Sequence, residues 1–110
     1  MTEDKIMESL IQELRRGMLV LSVMSQLKDY EYGYTLAVKL KEKGLAIEQN
    51  TLYPLLRRLE GKGVLESTWK LEDSRQRRYY RLNERGAVIL KRLTDEWMKM
   101  VETTNGLLDL

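Results

Sequence analysis

Gln49-Asn50-Thr51-Leu52-Tyr53-Pro54-Leu55-Leu56-Arg57-Arg58-Leu59-Glu60-Gly61-Lys62-Gly63 has a polar entrance, one apolar stripe and a glycine stop. Leu52, Leu55, Leu56 and Leu59 recur at three- and four-residue steps, which predicts a helix from about Asn50 to about Lys62. Asn50 or Thr51 can cap its start. Pro54 is then expected in or just after the first turn, where a missing N–H costs little. Two strands follow. Val64–Leu71 places Leu65, Ser67, Trp69 and Leu71 on one face, and Arg77–Leu82 places Tyr80 in phase with Leu82. Tyr80 therefore reads as core, and Trp69 as packing at the base of the hairpin. Glu72-Asp73-Ser74-Arg75-Gln76 is the expected polar loop between them.

Working outward, Tyr34–Lys43 predicts a shorter helix with Leu36, Ala37 and Leu40 inward and Gly44 at its C-terminal cap. Lys28–Gly33 is a polar break with aromatic content. The first 27 residues carry Met7, Leu10, Ile11, Leu14, Met18, Leu21 and Met24 on one helical face, from about Asp4 to about Leu27. Val20 and Val23 widen the apolar surface, as burial on two sides would require. Asn83 can cap a final helix running to about Leu107. In that helix Leu90, Leu93, Trp97, Met100, Thr104 and Leu107 make a heptad-like seam. The expected fold is mainly α with a small antiparallel β hairpin: a winged helix-turn-helix plus long N- and C-terminal helices. Residues 1–82 form the winged unit with its N-terminal helix, and residues 83–110 the last helix, in one compact whole.

Composition removes most other classes. The 110 residues include no cysteine and no histidine, so disulfides, thiolate nucleophiles, Ser-His-Asp triads and Cys/His zinc sites have no parts. The carboxylate pairs Glu72-Asp73 and Asp95-Glu96 are adjacent on exposed elements, and neighbours on a helix do not converge on one substrate. No enzyme activity, cofactor or metal site is expected. The longest apolar run, Met18–Leu21, is far too short for a membrane span. The opening Met1-Thr2-Glu3-Asp4 lacks the basic start of a signal peptide, so a cytoplasmic protein is expected. The net charge of +2 conceals an asymmetry. Residues 1–14 hold four acids against Lys5, while residues 74–85 hold five arginines against Glu84. The second stretch seeks anions.

A duplex reader needs a helix that fits a major groove about 12 Å wide and cations that neutralise phosphate. The 50–62 helix offers Gln49, Asn50, Thr51, Tyr53, Arg57 and Arg58 at its start and outer face. The hairpin tip offers Arg75, Arg77 and Arg78. Gln and Asn can bond adenine edges, Arg can pair with guanine, and a helix N-terminus can take a phosphate. Arg81 sits farther from the tip. Arg58 is expected to pair with an acidic neighbour, a contact worth little. Tyr53 lies beside a stripe that Leu52 and Leu56 already fill, which favours an exposed hydroxyl.

Gly33-Tyr34, then Thr51–Glu60 with Gly63, then Ser74-Arg75, Arg78-Tyr79-Tyr80-Arg81-Leu82 and Gly86, resemble the PadR family of bacterial transcriptional regulators. Arg16-Gly17 before an apolar helix is similar to the family's opening. The resemblance spans about residues 14–98. The single C-terminal helix is similar to the smaller subfamily, which includes multidrug-responsive repressors. The resemblance implies a homodimer, built by the first and last helices, on a pseudo-palindromic operator in double-stranded DNA. It implies that Gln49, Asn50, Thr51, Tyr53 and Arg57 lie on the recognition helix or at its entrance. It implies that Ser74, Arg75, Gln76 and Arg78 form the wing, and that Tyr34 lies near the phosphate backbone. Asn50 stands where the family often has a small residue, which leaves sequence preference open. Asn83 stands where it often has Thr, and both cap helices.

The terminal helices carry apolar stripes beyond what a small winged unit can cover, an independent motive for association. Leu10, Leu14, Leu90, Leu93, Trp97, Val101 and Leu107 are the expected dimer interface. Trp97 has two readings. One is a large side chain buried in the seam. The other follows the multidrug-responsive relatives, where a matching tryptophan stacks on flat aromatic compounds; Met7 and Met100 would then line an adaptable effector pocket with it. Three functions follow: an effector-responsive dimeric repressor, a repressor without a pocket, and a winged helix used only for protein–protein contact.

Overall fold

The computed structural model describes all 110 residues. Four helices and three strands follow in the order α1 (Glu3–Ser25), β1 (Glu31–Tyr32), α2 (Gly33–Glu42), α3 (Gln49–Gly61), β2 (Leu65–Glu72), β3 (Arg75–Leu82) and α4 (Glu84–Leu107). The fold is mainly helical, with a winged-helix arrangement. Thr2 caps α1 by accepting from the Lys5 N–H, and Asn83 caps α4 by accepting from the Gly86 N–H. Both α2 and α3 end in the same way. Gly44 and Gly63 take φ of +100° and +81°. Their N–H groups reach the Lys41 and Glu60 carbonyls, while Leu45 and Val64 reach back to Leu40 and Leu59. This is the Schellman arrangement, and glycine is the residue that enters the left-handed region without strain.

The core is one cluster of twelve apolar side chains. Val23 and Met24 from the end of α1, with Leu27 just beyond its C-cap, meet Leu36 and Leu40 of α2 and the four leucines of α3. Val64, Leu65 and Tyr80 close it from the sheet, as expected for Tyr80. Leu90 and Leu93 of α4 pack on its edge and are half-buried within the chain. The far parts of α1 and α4 reach beyond the core. Met7, Leu10, Leu14, Trp97, Met98, Met100 and Leu107 are exposed. The radius of gyration is 16.2 Å, against about 13 Å for a compact chain of this length.

Several local expectations are corrected. Neither Asn50 nor Thr51 caps α3. The helix begins one residue earlier, its N-cap is Glu48, and no side chain bonds the first turn. Pro54 is consequently the sixth helical residue and denies the Asn50 carbonyl its i+4 donor. The hairpin loop is shorter than the polar run suggested. Strands β2 and β3 pair up to Glu72↔Arg75, leaving only Asp73 and Ser74, with φ of 50° and 63°, to turn. Two consecutive positive φ angles make the type I′ turn, whose twist matches that of the strands. Tyr32 and Glu31 form an unforeseen third strand, on the free edge of β3, in the order β1-β3-β2. Trp69 is not packed at the wing base. It is 59% exposed, and Leu71 beside it 68%, because β2 has already run past the core at that point.

Candidate nucleic-acid interface

The packing of the start of α2 on α3 is set by a close approach. A Cβ on Gly33 would lie 2.2 Å from the Tyr53 ring, so any larger residue there would have to push that ring aside. The Tyr53 ring is half-buried against this spot, and burial, followed by the neighbouring Tyr32 and Tyr80, raises its pKa. The ring therefore has a packing role against Gly33 beside the contact expected of its hydroxyl. With α3 held this way, Gln49, Asn50, Thr51 and Arg57 stand exposed at its entrance and outer face. No carboxylate lies within ion-pair distance of Arg57, nor of Arg58, which lacks the acidic neighbour expected for it. Tyr34 is exposed in the first turn of α2, next to Thr35, whose hydroxyl donates to the Tyr32 carbonyl.

The wing arginines divide into one free and three committed. Arg75 follows the turn, exposed and without an ion pair, beside exposed Ser74 and Gln76. Arg78 is tied down. Its Nη2 donates to Glu60 Oε1 at 2.5 Å and its Nε to Ser67 Oγ at 3.2 Å, while Ser67 itself donates to Glu60. The guanidinium lies between the Trp69 and Tyr80 rings, 5.5 and 5.3 Å from their centroids. Arg78 thus bolts the wing to the end of α3 and presents no free charge. Arg77 sits 5.1 Å over the Tyr32 ring and 3.6 Å from Glu72. Arg81 bonds Glu66, which raises its pKa, and stacks on Tyr30.

The outer face of the sheet is a ladder of cations on rings. Lys70 lies 4.6 Å from the Tyr79 centroid, and Tyr79 donates its hydroxyl to Glu72 at 2.5 Å. That hydrogen bond, ahead of partial desolvation and the Glu72 charge, raises the Tyr79 pKa. Glu60, Ser67 and Glu72 were not singled out from the sequence. The pairs Trp69↔Arg78 and Lys70↔Arg77 follow at once from a two-residue turn at Asp73-Ser74, and placing that turn would have exposed them. The bond from Arg78 to Glu60 joins two elements across 18 residues and leaves no periodic trace. No group of histidine, cysteine, aspartate or glutamate side chains could hold a metal, and no helix is long and apolar enough to cross a membrane.

An exposed second helix locked to its partner, with a basic hairpin bolted beside it, defines the winged-helix class of DNA-binding proteins. The profile of the Transcriptional regulator PadR-like family matches residues 20–92, and the chain belongs to that family. It is 35% identical over 81 residues to Transcriptional regulator Rv3488 of Mycobacterium tuberculosis, covering 73% of this chain and 76% of that one. Among solved structures, a PadR family transcriptional regulator from Eggerthella lenta superposes with a TM-score of 0.91 at 44% identity, over 96% of this chain and 94% of its own. A PadR-like transcription factor from Bacteroides fragilis gives 0.75 at 34% identity, over 90% and 98%. Regulators of this family bind DNA, typically as dimers, and are transcription factors without enzymatic activity.

Proposed function

We propose that the protein is a dimeric repressor that grips a pseudo-palindromic operator through α3 and the wing. The observation that carries this reading is the unpartnered set Gln49, Asn50, Thr51 and Arg57 on α3 with free Arg75 at the wing tip. Polar side chains left without partners at the mouth of a helix are donors and acceptors for base edges, and an unpaired arginine is a phosphate contact. Tyr34 adds a hydroxyl on the same side, and Ser74 and Gln76 flank Arg75. Arg78 contributes by holding the wing. Dimerisation through α1 and α4, with Leu10, Leu14, Trp97, Val101 and Leu107 in the seam, sets two α3 helices about 34 Å apart, one turn of duplex. Leu90 and Leu93 divide their surface between the chain's own core and that seam. Trp97, 40% exposed in the single chain, then becomes a pair across the two-fold axis. With Met7 and Met100 it lines a site for a flat aromatic or lipophilic effector. Occupancy releases DNA by favouring one dimer geometry over another. The protein acts in the bacterial cytoplasm, on the nucleoid.

The test is fluorescence anisotropy of duplexes from the protein's own upstream region at two salt concentrations. Selective binding that weakens with salt and needs both half-sites is expected. A second reading, protein contact through the wing, rests on the exposed Trp69 and Leu71. It requires that Arg75→Ala leave nucleic-acid retention unchanged. Under the repressor reading that substitution weakens binding on all sequences and lowers the salt slope by about 1.

A further inference from the structure

An apolar groove of about 190 Å³ opens between α1, the C-terminal half of α3 and α4, away from the helix entrance that faces DNA. Val20 and Met24, Leu55 and Leu59, and Ile89 and Leu93 form its walls, and no aromatic ring lines it. Two cations stand at its lip. Arg58 in the last turn of α3 and Lys62 at its C-cap lie four residues apart, and neither has a carboxylate within ion-pair distance. The C-terminal end of α3 contributes roughly half a negative charge there, which two full positive charges outweigh.

We propose that this groove binds a short aliphatic carboxylate, its chain among the branched side chains and its head group on Arg58 and Lys62. The pairing of an apolar slot with unpaired cations selects an anion with an apolar tail over a molecule with a neutral head. The volume lies below the roughly 300 Å³ at which sites for drug-sized ligands begin, so a short chain fits and a bulky one does not. The site differs in place and chemistry from the Trp97 surface. A ligand in it touches α1, α3 and α4 together, so its occupancy bears on the angle between α3 and the two terminal helices. The proposal does not depend on DNA binding, and its test uses the free protein.

Hexanoate and, separately, hexanol are titrated into the full-length protein while the side-chain methyl resonances are followed by NMR. Hexanoate is expected to give saturable shifts at Val20, Leu55, Leu59 and Ile89, and to bind at least about tenfold more tightly than the alcohol. Arg58→Gln with Lys62→Gln should bring hexanoate down to the alcohol's affinity and leave the alcohol unchanged. The comparison of the two ligands on the unaltered protein stands even where the double variant folds poorly. Absence of saturable shifts, equal binding of acid and alcohol, or shifts centred on Trp97 would each overturn the proposal. So would intersubunit contacts at these methyls, because a second copy of the chain would then fill the groove.

Discussion

Single atoms decide two joints of this molecule. A Cβ on Gly86 would lie 2.0 Å from the Val64 carbonyl oxygen, and that carbonyl is fixed by the Asn83 N–H at 3.3 Å. The Gly33 position is as tight, but its obstacle is the Tyr53 ring, which can rotate. Gly86→Ala should therefore cost at least about 2 kcal/mol in denaturant unfolding, and more than Gly33→Ala. Gly33→Ala should instead reduce DNA affinity, measured by anisotropy, because moving Tyr53 moves α3. Ser74 holds φ of 63°, a region that costs a residue with a Cβ about 1–2 kcal/mol. Ser74→Gly should raise the thermal midpoint, and a lower midpoint would mean that the hydroxyl does more in the turn than the strain costs.

The wing is stiff because its cations are spent internally. Arg78 bonds Glu60, Arg77 lies on Tyr32, and Arg81 bonds Glu66. Arg75→Ala should accordingly leave the thermal midpoint unchanged while weakening DNA binding. Arg78→Ala should lower the midpoint, by about 1 kcal/mol in stability for a pair still partly open to solvent, because Glu60 and Ser67 lose their partner. Comparing the two variants by calorimetry and by anisotropy separates contact from support. The ring hydroxyls bear on alkaline stability. Tyr79 has its pKa raised by the bond to Glu72. A raised folded pKa means the contribution is complete below the ordinary tyrosine value of about 10 and is lost as pH climbs through the folded value. Fluorescence-detected unfolding should therefore show the wing loosening only on the alkaline side. With no histidine in the chain, DNA affinity should stay flat between about pH 6 and about pH 8.

Taken whole, the chain is longer than its core. Its radius of gyration and the bare stripe on the first half of α1 leave apolar surface that the chain's own core does not cover, which is the surface the proposed dimer would bury. A single projecting helix is marginal in water and gains its stability from packing. Leu14 is 80% exposed in the chain, so Leu14→Glu should spare the fold. In sedimentation it should shift the dimer towards monomer, and it should abolish cooperative binding to two half-sites. An unchanged dimer would remove Leu14 from the interface.

Much of what local physics sets was readable in the chain's own pattern, but not the start of α3, where Glu48 rather than Asn50 or Thr51 is the N-cap, nor the two-residue turn at Asp73-Ser74. The leucine spacing at 52, 55, 56 and 59, the stops at Gly44 and Gly63, the Asn83 cap and the inward phase of Tyr80 all arise within one element, from steric limits and a helical or strand repeat. The polar set on α3 and the arginine run were legible for the same reason. What the pattern could not show is which arginine is free. Arg75, Arg77, Arg78 and Arg81 are alike as letters, and their separate fates depend on Glu60, Ser67, Glu72 and Tyr32, and for Arg81 on Glu66 and Tyr30, brought near by strand register and by the packing of α3 on β2. Trp69 and Tyr80 differ likewise, one exposed and one buried, because the core ends partway along the hairpin. Periodicity reports which face a residue occupies; how far along that face the core extends is set by three-dimensional packing alone.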